Sequence, residues 1–230
     1  MIKENLEVLR KRIVAAARRA GRDTTMVRIV AAAKSQSRSL AEEAVRAGVS
    51  LVGHNYVQEA IRERPSADCG PFEYHMIGHL QKNKAKKAAE VFDVIQTLDD
   101  FDTAEALDRA AGEIGKSLGV MVQVNLSGEP QKSGLPRNEA TDLAENIKSL
   151  KNICLLGLMT MPPFFDEPEA ARPFFRELRQ MRDELIAAGV MERSATELSM
   201  GMTGDFECAV EEGATLVRIG TALFGARIYA

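Results

Sequence analysis

Short apolar runs alternate with helical stretches eight times along the chain, and few folds accommodate such a pattern. RIVAAA (28–33), SLVG (50–53), YHMIG (74–78), DVIQT (93–97), VMVQVN (120–125), ICLLGLMT (153–160), ATELSMG (195–201) and TLVRIG (215–220) read as strands. Helical stretches such as SLAEEAVRAG (39–48), DTAEALDRAAGEIGKSLG (102–119) and EPEAARPFFRELRQMRDELIAAG (167–189) separate them. Strands joined by crossover helices run parallel, and a parallel sheet has both faces covered, which explains continuous rather than alternating apolar strands. Eight units in 230 residues predict the α/β class and a single (β/α)8 TIM barrel, with residues 1–230 as one domain. Leu6, Leu9, Ile13 and Ala17 fall at helical spacing, so residues 1–20 are predicted to form an amphipathic helix packed on the barrel. The loop MPPFFDEPEAARP interrupts one unit and is read as no domain boundary.

Charge and cysteine usage narrow the function. A net charge of −3 argues against wholesale nucleic-acid binding, and no apolar run approaches the length of a membrane span. Cys69, Cys154 and Cys208 are too scattered for a disulfide framework and form no CxxC pair, so a reducing, cytoplasmic setting is expected. The arginines of the first helix invite a targeting reading, which Glu4 and Glu7 weaken.

In a barrel the C-terminal strand ends form the functional face. RIVAAAKSQS ends its strand on Lys34. Counting back by twos puts Ala32 and Val30 on the lysine's side and Ala31 and Ala33 against the helices. A strand-end lysine can also simply reach water. LSMGMTGDF and VRIGTALFG follow the last two strands, where barrels often build a phosphate site from backbone N–H groups and glycines. Ser199, Gly201, Gly220 and Thr221 are the candidates there, the alternative being that the glycines merely make turns. Asp205 would repel a phosphate, which places that group on the preceding turn and on Gly220-Thr221. Arg218 lies within a strand covered on both faces and needs a partner, either a protein carboxylate or a ligand ring nitrogen.

A lysine amine, a phosphate cradle and an inward arginine around one mouth suggest pyridoxal phosphate, whose aldehyde forms a Schiff base with lysine. The motifs AAAKSQS, VGHNYVQEA, HMIGHLQKNKAK, VNLSGEPQKSG, GLMTM and ELSMGMTGDFECAVEEGATLVRIGTALFG span nearly the whole chain. Through them it resembles the pyridoxal phosphate homeostasis protein family, related by fold to the barrel domain of alanine racemase. The resemblance implies Lys34 as the Schiff-base lysine, Ser199, Gly201, Gly220 and Thr221 on the phosphate loops, and Arg218 facing the pyridine nitrogen. It further implies Asn55 at the pocket edge and the Met202 backbone N–H beside the phosphate. One departure is visible: the family usually reads GENYVQE, and this chain carries His54 in place of that glutamate.

A guanidinium donates hydrogen bonds only, so a ring nitrogen facing Arg218 stays unprotonated and the ring is a weak electron sink. Catalytic relatives carry a further β domain, whereas Arg227-Ile228-Tyr229-Ala230 directly follow the eighth unit here. Tyr56 and Tyr74 are read as core or pocket wall rather than as bases. His75 and His79 have zinc-like spacing without a third ligand, so no metal is expected. Lys82, Lys84, Lys86 and Lys87 read as a solvated helix face. The sequence thus predicts a monomeric carrier, non-catalytic or at most weakly catalytic. It holds pyridoxal phosphate reversibly on Lys34 for storage or delivery to pyridoxal-phosphate-dependent apoenzymes, and binds no nucleic acid or membrane. A barrel-type amino-acid racemase or decarboxylase is the alternative, and a scaffold without cofactor the third.

Overall fold

A computed structural model gives the fold of residues 1–129 and 131–225; the Arg227–Ala230 tail lies outside these described residues. Strands β1 (Arg28–Ala32), β2 (Leu51–His54), β3 (Glu73–Met76), β4 (Val94–Leu98), β5 (Leu118–Val124), β6 (Ile153–Thr160), β7 (Glu197–Met202) and β8 (Leu216–Ile219) pair in sequence order, all parallel. β8 returns to β1, with Val30 opposite Arg218 and Ala31 opposite Ile219, and closes the barrel. The expected (β/α)8 architecture is therefore present.

Each strand feeds a helix on the outside. These are α2 (Arg38–Arg46), α3 (Val57–Arg62), α4 (Ala85–Val91), α5 (Phe101–Glu113), α6 (Arg137–Ile147), α7 (Arg172–Ala187), α8 (Phe206–Glu211) and α9 (Thr221–Phe224). Two boundaries differ from the sequence reading. The helical stretch drawn to Gly119 stops at Glu113, because Leu118 N–H donates to Asn152 O at 2.9 Å and Gly119 N–H to Asp93 O at 3.0 Å, which captures both residues for β5. The stretch opening at Glu167 begins as a 3-10 turn over Pro168–Ala171, and α7 starts only at Arg172 with Pro173 in its first turn, where a missing N–H is harmless.

Side-chain parity follows the expected alternation. Val30 and Ala32 point into the barrel with Leu51, Met121, Met159 and Leu216, while Ala31 and Ala33 join the layer between sheet and helices. Both faces of the sheet are thus apolar, and polar residues inside the barrel stand out against that background.

Helix α1 (Ile2–Arg19) precedes the barrel and buries Ile2, Leu6, Leu9 and Ile13 along one stripe. It packs against α8 and α9. Asn5 Nδ2 donates to Leu223 O at 2.9 Å, Arg12 reaches Glu207 at 3.0 Å, and Arg19 reaches Glu211 at 2.7 Å. Those ion pairs are exposed and worth little, so the buried stripe supplies most of the attachment. Leu6→Ala is expected to destabilise the fold by about 2–5 kcal/mol in a urea titration. Val8→Ala, at a position 55% exposed on the opposite side of α1, should stay within about 0.5 kcal/mol.

Candidate functional site

The C-terminal ends of the strands surround a cavity of about 410 Å³. Its floor is apolar, formed by Ala32, Ile77 and Met159 from inside the barrel. The rim collects polar groups from the loops after β1, β2, β3, β7 and β8, because every one of those loops leaves the barrel at the same end.

Lys34 stands on this rim, two residues past the end of β1, and is exposed. Its amine makes no hydrogen bond or ion pair among the described residues. The loop that carries it is held firmly: Ser35 adopts a left-handed φ of 60°, and its N–H donates to Glu59 Oε1 of α3. Arg38 N–H, at the start of α2, donates to Glu63 Oε2 just past α3 at 2.9 Å, so the far end of the loop is fixed as well. Lys34 is thus a free amine on an anchored turn.

Asn55 lines the same cavity, brought in by a close backbone approach. A Cβ on Gly78 would sit 2.4 Å from Asn55 O and 2.7 Å from its Cα, so only glycine lets the ends of β2 and β3 converge this tightly.

Arg218 reaches the cavity from β8 and is buried. The protein carboxylate expected as one possible partner is not there: Nη1 donates to Ser199 Oγ at 2.7 Å and Nη2 to Thr160 O at 3.0 Å. Burial pushes the guanidinium down to about 10, with Asp205 opposing, so it stays charged at neutral pH. Of its five N–H donors, the others have no protein acceptor among the described residues.

The phosphate-loop candidates divide. Gly220 and Thr221 line the cavity. Ser199 does not: it is fully buried beneath Arg218, and its hydroxyl is taken by the guanidinium and by Gln96. Gly201 also lies behind the wall; its φ is +90°, and a Cβ there would meet Ala209 Cβ at 2.5 Å, so it lets β7 close on α8. Met202 lines the cavity with its side chain, but its backbone N–H donates to Asp205 Oδ1 at 2.6 Å and is not free for an anion. Asp205 is itself a lining residue, its carboxyl pushed above the usual range by burial.

The sequence reading placed a phosphate on the turn before Asp205 without naming Thr203 and Gly204. Both line the cavity, and their N–H groups, like that of Thr221, find no acceptor among the described residues. Ala222 N–H lies 3.4 Å from Thr203 Oγ1, which joins the loops after β7 and β8. The GMTG turn in the sequence was the available signal, since its hydroxyl and second glycine directly follow Met202.

Of the other flagged residues, His79 also lines this cavity and the rest lie elsewhere. Tyr74 is core: its hydroxyl donates to Ala60 O at 3.0 Å, and burial pushes its acidity far out of reach. Tyr56 is exposed on a smaller neighbouring cavity. His79 pairs with Asp99 at 3.5 Å, whereas His75 points into the barrel. Lys82, Lys86 and Lys87 lie on the surface beside Asp102, Glu113 and Glu90. His54 turns away from the cavity toward the helices, fully buried, with neither ring nitrogen hydrogen-bonded. Its ring meets Tyr74 edge-on at 5.5 Å, and Nδ1 is 3.8 Å from Glu59 Oε2.

The family of the alanine racemase N-terminal domain matches residues 3–228. The pyridoxal phosphate homeostasis protein of Aquifex aeolicus is 38% identical over 226 residues, covering 98% of each chain. PipY of Synechococcus elongatus, a structure with pyridoxal phosphate bound, is 35% identical with a TM-score of 0.85, covering 98% of this chain and 100% of that one. Alanine racemase of Clostridium difficile, 18% identical with a TM-score of 0.73 over 56% of its own length, shares the fold.

His54 sets a pH dependence. Burial lowers its pKa below 6.5, with Glu59 opposing, so on acidification the unfolded chain takes up the proton first and stability falls as pH drops below about 6.5. His54→Gln should flatten that decline between about pH 7 and about pH 5, by up to ~1.4 kcal/mol per unit of lowered pKa. Urea titrations of both proteins at each pH check this; parallel curves would show that His54 contributes nothing.

Proposed function

The chain belongs to the pyridoxal phosphate homeostasis protein family, within the wider family of the alanine racemase N-terminal domain, and we propose on that premise that it binds pyridoxal 5'-phosphate at the barrel mouth and serves intracellular vitamin B6 homeostasis. The observation that carries the reading is a buried, charged Arg218 with no carboxylate partner, opening into the same cavity as the free amine of Lys34.

The donor set fits the cofactor. A guanidinium with unused N–H donors suits a ring nitrogen, which accepts hydrogen bonds when unprotonated. The unsatisfied N–H groups of Thr203, Gly204 and Thr221, with the close approach allowed at Gly220, suit a phosphate dianion. Asn55 on the rim would edge the ring, and the apolar floor would suit its face. Ser199 and Gly201 support the site from behind, the first through Arg218 and the second through the turn after β7.

When bound, pyridoxal phosphate supplies an aldehyde and an electron-accepting ring. Lys34 would hold the group through that aldehyde, an imine linkage whose formation releases one water and whose hydrolysis would return both partners, so attachment would be reversible. Arg218 would hold the ring nitrogen with a donated hydrogen bond while keeping its own proton, which would leave the ring a poor electron sink. Storage and release follow from such a site more directly than bond-breaking at an amino acid. Recipient apoenzymes would draw the cofactor from the open mouth.

A racemase or decarboxylase reading has one observation in its favour: Asp205 and His79, both titratable, line the same cavity as Lys34. It requires exchange of the substrate α-proton with solvent in a panel of amino acids. The carrier reading requires none.

Added pyridoxal phosphate should produce a visible absorbance band, and borohydride reduction followed by peptide mass mapping should place the adduct on Lys34. At a ligand concentration of about 100 Kd the folded state should gain about 2.7 kcal/mol. Lys34→Ala should lose the band and most of that gain. An adduct elsewhere, or none, removes the assignment.

A further inference from the structure

Beneath the cavity floor a line of hydrogen bonds crosses the barrel from β8 to β3. Arg218 Nη1 is 2.7 Å from Ser199 Oγ, Ser199 Oγ is 2.6 Å from Gln96 Oε1, Gln96 Nε2 is 2.7 Å from His75 Nδ1, and His75 Nε2 is 3.3 Å from Glu73 Oε2. Gln96 and Ser199 are fully buried and His75 nearly so, while Glu73 is 55% exposed at the opposite end of the barrel from the cavity.

Only one sense of donation satisfies this chain. A guanidinium can only donate, so Ser199 Oγ accepts from it and turns its single hydrogen toward Gln96. That hydrogen needs an acceptor, which fixes the amide oxygen on the Ser199 side and the amide N–H₂ toward His75. Nδ1 of His75 must then be bare, which puts the ring proton on Nε2, facing the Glu73 carboxylate. The hydrogen bond from His75 holds that carboxyl below the usual range. A positive group at the mouth is thereby joined to a negative group at the far end through three neutral residues, every link donating in the same direction.

We propose that Gln96 is a positioning residue for the contact between Arg218 and the ring nitrogen, acting through Ser199, with Glu73 as the remote counter-charge through His75. The proposal rests on the reading of the cavity as a pyridoxal phosphate site. Two bonds on different nitrogens, to Ser199 Oγ and to Thr160 O, fix the plane of the guanidinium. Ser199 can hold its share only while its own hydrogen has an acceptor, and Gln96 is that acceptor. Barrel interiors are dominated by branched apolar residues, so three buried polar residues hydrogen-bonded in a line from the arginine are a feature that apolar packing alone would not need.

The test separates positioning of the arginine from general support of the fold. Gln96→Leu breaks the line at its centre, and Ser199→Ala removes the partner of Arg218 with minimal change of volume. Each variant and the parent protein are titrated by absorbance with pyridoxal phosphate and with 1-deazapyridoxal phosphate, which has carbon in place of the ring nitrogen. Circular dichroism and thermal unfolding without ligand confirm that the variants fold.

The expected result is about a tenfold loss of affinity for pyridoxal phosphate in both variants, the scale of a hydrogen bond to a charged group. Affinity for the deaza analogue should move by less than about twofold, because that ligand never made the contact. Equal losses for both ligands would overturn the proposal and leave the line a structural feature; unchanged affinities would overturn it as well. If the parent protein bound neither ligand, the cofactor reading itself would fall and this inference with it.

Discussion

Closure of the sheet between β1 and β8 is the constraint on which the remaining structure depends. In an open sheet the loops after β1 and β8 would stand at opposite edges. Here the ladder that sets Val30 opposite Arg218 brings the lysine loop and the arginine strand side by side, and the same closure gathers the turns after β2, β3 and β7 on one rim. The site is thus a product of topology before it is a product of any single side chain. Glu59 and Glu63, on α3 and just past it, refine it locally by accepting from the N–H groups of Ser35 and Arg38, while Ala33 N–H donates to Gly53 O of β2, so the amine rides on a turn held from both sides.

The second constraint is electrostatic. A guanidinium removed from water without a neighbouring carboxylate is expensive, of the order of several kcal/mol before its hydrogen bonds are counted. A direct ion pair would have been the ordinary remedy, but it would also have occupied the donors that face the cavity. Neutral acceptors at Ser199 and Thr160 stabilise the charge while leaving the remaining N–H groups unclaimed, and Asp205 adds attraction without a hydrogen bond to it. The arrangement keeps a cation both stable and available.

Much of this was legible in the sequence. The apolar runs located every strand, because strands covered on both faces read as continuous blocks, and the parity of Val30 and Ala32 followed from the two-residue repeat. Lys34, Asn55, Gly220, Thr221 and Arg218 do line one cavity. Ser199 and Gly201 lie one layer behind the cavity, the first turned into the barrel beneath Arg218 and the second against α8, and local spacing does not say which way a strand residue beside a loop turns. The Met202 N–H was lost to Asp205 through a three-residue turn whose bond depends on a side-chain rotamer. Gln96 escaped notice, and His75 was weighed only as a metal ligand, because the bond that joins them to the arginine, from Ser199 to Gln96, crosses the barrel. A polar residue on an inward position of each of three strands was the visible trace, but pairing across a lumen leaves no periodic signature.

The attachment of α1 bears on how such a chain can be assembled. Arg12 and Glu207 are 195 residues apart, and the helix that carries Arg12 packs on the last two helices of the barrel. Contacts of such separation are slow to form, because the intervening chain must lose its freedom before they are made. During synthesis the first amphipathic helix emerges with its apolar stripe uncovered and keeps it so until the eighth unit has left the ribosome. Throughout translation that stripe is a natural target for chaperones, and the molecule's most exposed moment comes before its final turn is made.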